Sequence, residues 1–220
     1  EQTRERWAEE QELRAAAASA DDLPRVSVET ERGTIVVELF EDAAPNTVAN
    51  FIALARSGFY AGTTFHRFIA DFMVQGGDIN SKEGVEGTPG TGNPGYRIPD
   101  EHGEGFDARA HFRDTLAMAN TGAPDSGGSQ FYFTHKPTPW LNDRHTVFGR
   151  VLEGLHVVRA LRAGDRITGM TVLRDRGHDY VPETIPIEDE TAAPPSEGAA
   201  AETTPPADPP AEGAAGGDGG

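Results

Sequence analysis

The run Thr63-Thr-Phe-His-Arg-Phe-Ile-Ala-Asp-Phe-Met-Val-Gln-Gly-Gly-Asp78 packs Phe65, Phe68, Ile69, Phe72, Met73 and Val74 around one arginine, Arg67. Strand periodicity sends residues i and i+2 to one face. A strand over 65–69 therefore places Arg67 and Ile69 on the face of Phe65, with His66 and Phe68 on the other. A guanidinium on an apolar face is costly unless its five donors are satisfied. Two readings are open. Arg67 pairs with a nearby carboxylate, Asp71 or Asp78, or it stands at the edge of an apolar pocket and hydrogen-bonds a ligand.

A second stretch bears on the choice. It reads Leu-Ala-Met-Ala-Asn-Thr-Gly at 116–122, Gly-Gly-Ser-Gln-Phe-Tyr-Phe-Thr at 127–134, and Trp-Leu-Asn-Asp-Arg-His-Thr-Val-Phe-Gly-Arg-Val at 140–151. With Phe-His-Arg and Phe-Met-Val-Gln-Gly-Gly-Asp ahead of it, this ordered set of motifs resembles the cyclophilin family of peptidyl-prolyl cis/trans isomerases. The resemblance covers residues 26–173. Several separated motifs in matching order are far more specific than one short pattern.

The chain has 220 residues, a formal net charge of −17 and no cysteine. A sequence pI near 4.7 argues against nucleic acid or an anionic membrane surface as partner, because both reward basic patches. Lysine occurs only at 82 and 136, the other cations being arginine. Without cysteine there are no disulfides, zinc thiolates or cysteine nucleophiles. No apolar run reaches bilayer length. The chain begins at Glu1 rather than Met, which reads as a processed or trimmed form. The acidic tail and missing cysteine point to a bacterial cell-envelope or exported protein, with the cytoplasm as the alternative.

Three parts are expected. Residues 1–24 form a helical arm or linker, rich in Arg, Glu, Gln and Ala without Gly or Pro until Pro24. Residues 25–190 form one domain. Residues 191–220 lack every aromatic and every Ile, Leu, Val and Met, and so read as a disordered acidic tail. Within the domain, β-branched runs at 26–30 and 34–39 predict a hairpin turning at Glu31-Arg-Gly33. Pro45 and Gly58 bracket a helix over 44–57, and a second helix falls at 154–163. Short strands follow at 116–119, 129–134, 146–151 and 167–173. In the strand at 129–134, Gln130 and Tyr132 share one face while Phe131 and Phe133 share the other. Residues 174–188 lie along the domain surface. Short strands separated by Gly turns, with few helices, argue for an antiparallel barrel or sandwich. The resemblance sharpens this to a mainly β fold, a closed eight-stranded antiparallel barrel capped by two helices.

The resemblance also implies the chemistry. Rotation about an Xaa-Pro bond faces a barrier of about 18–20 kcal/mol because twisting breaks amide resonance. No covalent bond is made or broken, so no nucleophile, metal or cofactor is needed. The demand is an apolar slot for the proline ring and a donor that favours the twisted amide over both planar forms. On this resemblance Arg67 is the catalytic arginine, positioned by Gln75. Phe72, Met73, Tyr132 and Leu141 form the proline pocket with Ile69 at its side. Ala119, Asn120, Thr121 and Gln130 line the backbone groove, Gly90, Thr91 and Gly92 border it, and Trp140 and His145 form the rim. Singly, Phe72, Met73 and Leu141 would be ordinary core residues; their joint order and spacing carry the functional reading. Tyr132 stands where the family commonly has Phe, adding a hydroxyl that needs a partner or solvent. Thr121 replaces the usual Ala, and Phe68 the usual Val.

The partners so implied are proline-containing polypeptides, with cyclosporin-like cyclic peptides suggested by Trp140, and a monomer is expected. Gly90-Thr-Gly-Asn-Pro-Gly95 fits no phosphate-loop spacing. His66, His102, His111, His135, His145, His156 and His178 show no metal-binding helical spacing, which argues against a zinc hydrolase. The rival from another class is a proline-peptide adaptor with little turnover. Retention of Arg67 favours the enzyme.

Overall fold

A computed structural model describes residues 2–187; the tail predicted over 191–220 lies outside them. The chain runs through α1 (Gln2–Ala20), β1 (Arg25–Thr30), β2 (Gly33–Leu39), α2 (Pro45–Arg56), β3 (Arg67–Ile69), β4 (Met73–Gly76) and β5 (Tyr96–Arg97). It continues through β6 (Thr115–Met118), β7 (Phe131–Thr134), β8 (Val147–Glu153), α3 (Leu155–Ala160), β9 (Ile167–Arg174) and β10 (Ile185–Pro186). Eight strands form one curled antiparallel sheet in the order β3-β4-β7-β6-β8-β2-β1-β9.

Local chemistry explains the elements. The β1–β2 hairpin turns where the Thr30 hydroxyl donates to Gly33 O (2.7 Å) and accepts from Arg32 N (3.1 Å). α2 starts at Pro45, whose fixed φ suits a first turn. Its N-cap is Ala44, which has no side-chain acceptor. The remote Glu101 carboxylate takes over, accepting from Asn46 N (2.9 Å), Thr47 N (2.7 Å) and the Thr47 hydroxyl (2.7 Å). A negative group at that helix end also meets the positive pole of the helix. α2 buries Val48, Phe51, Ile52 and Leu54, and the Phe51 ring meets those of Tyr60, Phe131 and Phe148.

The two faces of the sheet carry different clusters. Inside are Val26, Val28, Ile35, Val37, Leu39, Phe65, Val74, Leu116, Phe131, Phe133 and Phe148, closed by α2 and by Val157 and Val158 of α3. On the other side Phe40, Phe72, Met73, Ala117, Tyr132, Leu141 and Val147 form a smaller cluster, joined by Ile69, Ala119 and Trp140. The alternation in 130–133 is as the sequence predicts: Phe131 and Phe133 face the core, Tyr132 the second cluster.

Two expectations need correction. The sheet is curled but its ladder is not closed, because β3 and β9 stand at the two ends of the strand order. β3 spans only Arg67–Ile69 and is laddered to β4 alone. Between the segments before β3 and β9 there is one bridge, Thr64 to Arg166. Backbone bonds from Phe65 N to Asp165 O (2.9 Å), Gly164 N to Phe65 O (2.9 Å) and Ile167 N to Thr63 O (2.8 Å) tie the seam. Phe65 also does not share a face with Arg67. It lies outside the strand, fully buried in the core with Phe131 and Phe133. The period-two rule holds only where the backbone is extended.

Three α-helices are present among the described residues, α1 adding to the two within the domain. Residues 174–187 lie along the domain, as expected, and end in β10, which pairs with β5.

Candidate active site

Strand register assembles one row. Arg67 on β3 is opposite Gln75 on β4, Gln75 is opposite Tyr132 on β7, and Tyr132 is opposite Ala117 on β6. Directly opposed residues in adjacent strands share a face. Arg67 and Gln75 are half-buried, while Tyr132 and Ala117 are buried. Ile69 opposite Met73 begins the next row.

Below this row lies the apolar patch. Phe72 and Met73 are each 3% exposed and Tyr132 and Leu141 each 4%, so the four side chains pack closely together. Trp140 leans on Phe72 with ring centroids 5.8 Å apart. Trp140 and Leu141 come from a short 3-10 turn, Pro139–Leu141, and the indole Nε1 is buried with no partner among the described residues. His145 stands edge-on to Tyr132 at 5.7 Å and directs Nδ1 to Met118 O (3.2 Å).

Above the row runs a polar network. Gln75 Nε2 donates to Gln130 Oε1 (2.9 Å), and Gln130 Nε2 donates to Gly90 O (3.0 Å) and Gly92 O (2.9 Å). The glycines are shaped by Asp78, a fully buried residue. Its carboxylate accepts from Asn80 N (2.8 Å), from Gly90 N and from Gly92 N (3.3 Å). A Cβ on residue 92 would fall 2.0 Å from Asp78 Oδ1, and Gly90 has φ +101°, so both positions require glycine. Asn80 Nδ2 donates to the exposed Thr91 hydroxyl (3.1 Å). Ala119 N bonds Gln130 O (2.9 Å), Asn120 Nδ2 donates to Arg144 O (2.9 Å), and Thr121 N donates to Ser126 Oγ (3.1 Å). Thr121 is exposed, as are Gly90 and Thr91.

Of the two carboxylates weighed for Arg67, Asp78 is thus engaged by backbone amides. Asp71 is exposed, in the β3–β4 turn with φ +55°.

One residue escapes motif reading. His111 is 2% exposed, places Nε2 2.9 Å from the Tyr132 hydroxyl and Nδ1 3.0 Å from Asn142 Oδ1. Its stretch reads as irregular and acidic; the signal was Tyr132, whose hydroxyl demands a partner. Desolvation holds the His111 pKa down at about 4, against the opposing hydrogen bond to Asn142. Burial likewise lowers His145. Neutral imidazoles therefore surround Tyr132 near neutral pH.

No group of three or more His, Asp or Glu that could hold a metal occurs among the described residues. No described helix is long and apolar enough to cross a membrane.

Comparison with known proteins places this geometry. The family model for cyclophilin type peptidyl-prolyl cis-trans isomerase/CLD matches residues 25–181. A peptidyl-prolyl cis-trans isomerase of Synechococcus elongatus is 48% identical over 150 residues, covering 67% of this chain and 95% of that protein. The human peptidyl-prolyl cis-trans isomerase-like 1 is 46% identical over 141 residues, 61% of this chain and 77% of that protein. A cyclophilin type isomerase from Cryptosporidium parvum superposes with TM-score 0.61 at 28% identity, over 70% of this chain and 99% of that one. The same protein solved in the presence of the dipeptide Ala-Pro gives TM-score 0.60 at 28% identity, over 69% and 99%. With the family model spanning the whole curled sheet and the row from Arg67 to Tyr132, this chain belongs to the cyclophilin-type peptidyl-prolyl cis-trans isomerases.

Proposed function

We propose that the face bearing Arg67, Gln75 and Tyr132 is where this isomerase rotates Xaa-Pro bonds. The observation that carries the assignment is the alignment of Arg67 and Gln75 across β3 and β4, beside the buried Phe72, Met73, Tyr132 and Leu141. Proline seats on that apolar surface, with Ile69 at its side and Trp140 and His145 at the rim. The substrate backbone lies along Ala119, Asn120, Thr121 and Gln130, bordered by Gly90, Thr91 and Gly92. Arg67 donates toward the prolyl nitrogen. A donor there draws the lone pair out of amide resonance and favours the twisted state. Gln75 holds the guanidinium in place, itself fixed by Gln130. Each ~1.4 kcal/mol removed from the barrier is worth about tenfold in rate.

The substrates are proline-containing polypeptides, in keeping with the Ala-Pro used with the Cryptosporidium protein. Cyclosporin-like cyclic peptides fit the same face, where the Trp140 ring packs on Phe72 at the rim. The protein acts as a monomer on this reading. A cell-envelope or exported location fits the cysteine-free, acidic composition.

Exchange NMR on a proline peptide separates binding from on-enzyme rotation. Arg67→Ala should lower the rotation rate by about 10²–10³-fold, the range for losing one transition-state donor, with peptide affinity changed little. Phe72→Ala should weaken affinity and rate together, because it removes part of the apolar surface on which proline seats. Arg67→Lys keeps the charge without the planar fork and should recover only part of the rate. An Arg67→Ala protein that binds poorly yet turns bound peptide over at the original rate would overturn the assignment. Tight binding without rotation in the unaltered protein would point to the adaptor.

A further inference from the structure

The back of the proline surface carries a connection that the motifs do not announce. His111 precedes β6 and is almost fully buried. Its backbone N lies 2.9 Å from Asn142 Oδ1, and its Nδ1 lies 3.0 Å from the same oxygen. A backbone N–H can only donate, so the Asn142 atom facing it must be the carbonyl oxygen. That oxygen can only accept, so Nδ1 carries the ring proton. Nε2 is then an acceptor, and the Tyr132 hydroxyl, 2.9 Å away, donates to it. The two rings lie within 8° of parallel. Every role in the chain Tyr132–His111–Asn142 is fixed without choosing a tautomer in advance.

The two ends of that chain are the floor and the wall of the same pocket. Tyr132 is on β7. Asn142 closes the Pro139–Leu141 turn, where its N–H donates to Pro139 O (3.2 Å), and so follows directly on Trp140 and Leu141. We propose that His111 is a positioning residue for the isomerase, fixing the Tyr132 ring against the Trp140–Leu141 turn and so setting the width of the proline slot. This rests on the assignment of that face as the substrate site. The same bond consumes the Tyr132 hydroxyl, so the ring presents proline with an apolar surface equivalent to phenylalanine. Without His111 the hydroxyl is left buried with no acceptor, and the turn loses its link to β7.

Three His111 substitutions take the chain apart. His111→Leu removes both bonds at similar volume. His111→Gln reaches Tyr132 with an acceptor but gives up the Nδ1 link. His111→Asn keeps a group near Asn142 but cannot reach Tyr132. Peptide Kd and the rotation rate are measured by exchange NMR, with Tm alongside. His111→Leu is expected to weaken peptide affinity about tenfold with a smaller change in rotation, and His111→Asn about as much. His111→Gln should stay within about threefold of the original. In a Tyr132→Phe background, where no hydroxyl needs an acceptor, His111→Leu should weaken affinity by less than about threefold. Equal losses in both backgrounds, or a fall in Tm with unchanged Kd, would overturn the proposal. If His111→Leu does not fold, the Gln and Asn variants decide, and equal affinities in those two overturn it. Phe72→Ala serves as the control. If it also leaves affinity unchanged, the site assignment fails and takes this inference with it; if it alone weakens binding, only the role of His111 is lost.

Discussion

Two histidines titrate in opposite directions, and their environments give the sign. His111 is held at about pKa 4 by burial, below the usual value near 6.5. A group that is neutral when folded but protonated when unfolded favours folding fully above about pH 6.5. Its contribution falls as the pH drops toward about 4. His178 is raised, first by the Asp179 carbonyl and then by the Glu41 carboxylate. Its contribution is present below about pH 6.5 and is lost as the pH rises through the folded pKa. Thermal melts across pH 4–9 should therefore show a fall on each side. His111→Gln should flatten the acid side and His178→Gln the neutral-to-alkaline side. An unchanged acid limb in His111→Gln would mean that the imidazole is not held neutral by burial.

At the scale of the element, α1 is held by a few directed contacts more than by an apolar stripe. Trp7 meets Phe112 edge-on at 4.7 Å, and the Arg14 guanidinium sits 5.1 Å from the Trp7 ring. Glu10, only 3% exposed, accepts from Arg14 Nε and Arg109 Nε, both at 2.7 Å. Arg109 in turn lies 3.8 Å from the Phe40 ring centroid, inside the second cluster. Arg6 reaches the Asp143 carboxylate (3.6 Å), the residue after Asn142. Glu10→Ala leaves the Arg109 charge buried without its carboxylate. Breaking such a pair costs about 3–5 kcal/mol, or a Tm lower by roughly 6–20 °C for a domain of this size. Glu10→Gln, which keeps an acceptor, should lose less. Equal melting points for all three proteins would show that α1 is not fastened through Glu10.

For the whole molecule, the seam between the segments before β3 and β9 is the place where the strand ladder is interrupted. Asp165 holds it from both sides. Its carbonyl accepts from Phe65 N (2.9 Å), and its carboxylate accepts from Arg32 Nε (2.9 and 3.0 Å) and Arg162 N (2.7 Å). Burial pushes this carboxyl up, but the bonds from Arg32 and Arg162 N outweigh it and hold it below the ordinary range. Amides of Phe65 and Ile167 should exchange with solvent faster than those of Phe133 and Leu116 inside the ladder. Asp165→Ala should widen that gap and lower Tm, because hydrogen bonds to a charged acceptor are worth about 1.5–3 kcal/mol. Hydrogen-exchange NMR checks both, and a Phe65 amide as slow as Phe133 would show the seam to be as stable as the ladder.

Sequence alone determined what is local. The alternation of Gln130 and Tyr132 with Phe131 and Phe133 marked two faces, and Pro45 and Gly58 bracketed α2. Glu31-Arg-Gly33 marked the first hairpin, and the ordered motifs identified the family. These follow from backbone periodicity and turn chemistry, which act over a few residues. Tertiary structure decided what depends on residues far apart. It turned Phe65 inward and left the ladder open between β3 and β9. It paired β5 with β10, and brought Glu101 to the start of α2 and His111 to Tyr132. Desolvation creates those contacts: a buried helix end or hydroxyl must find a partner wherever the fold supplies one, and no local pattern records which residue that is.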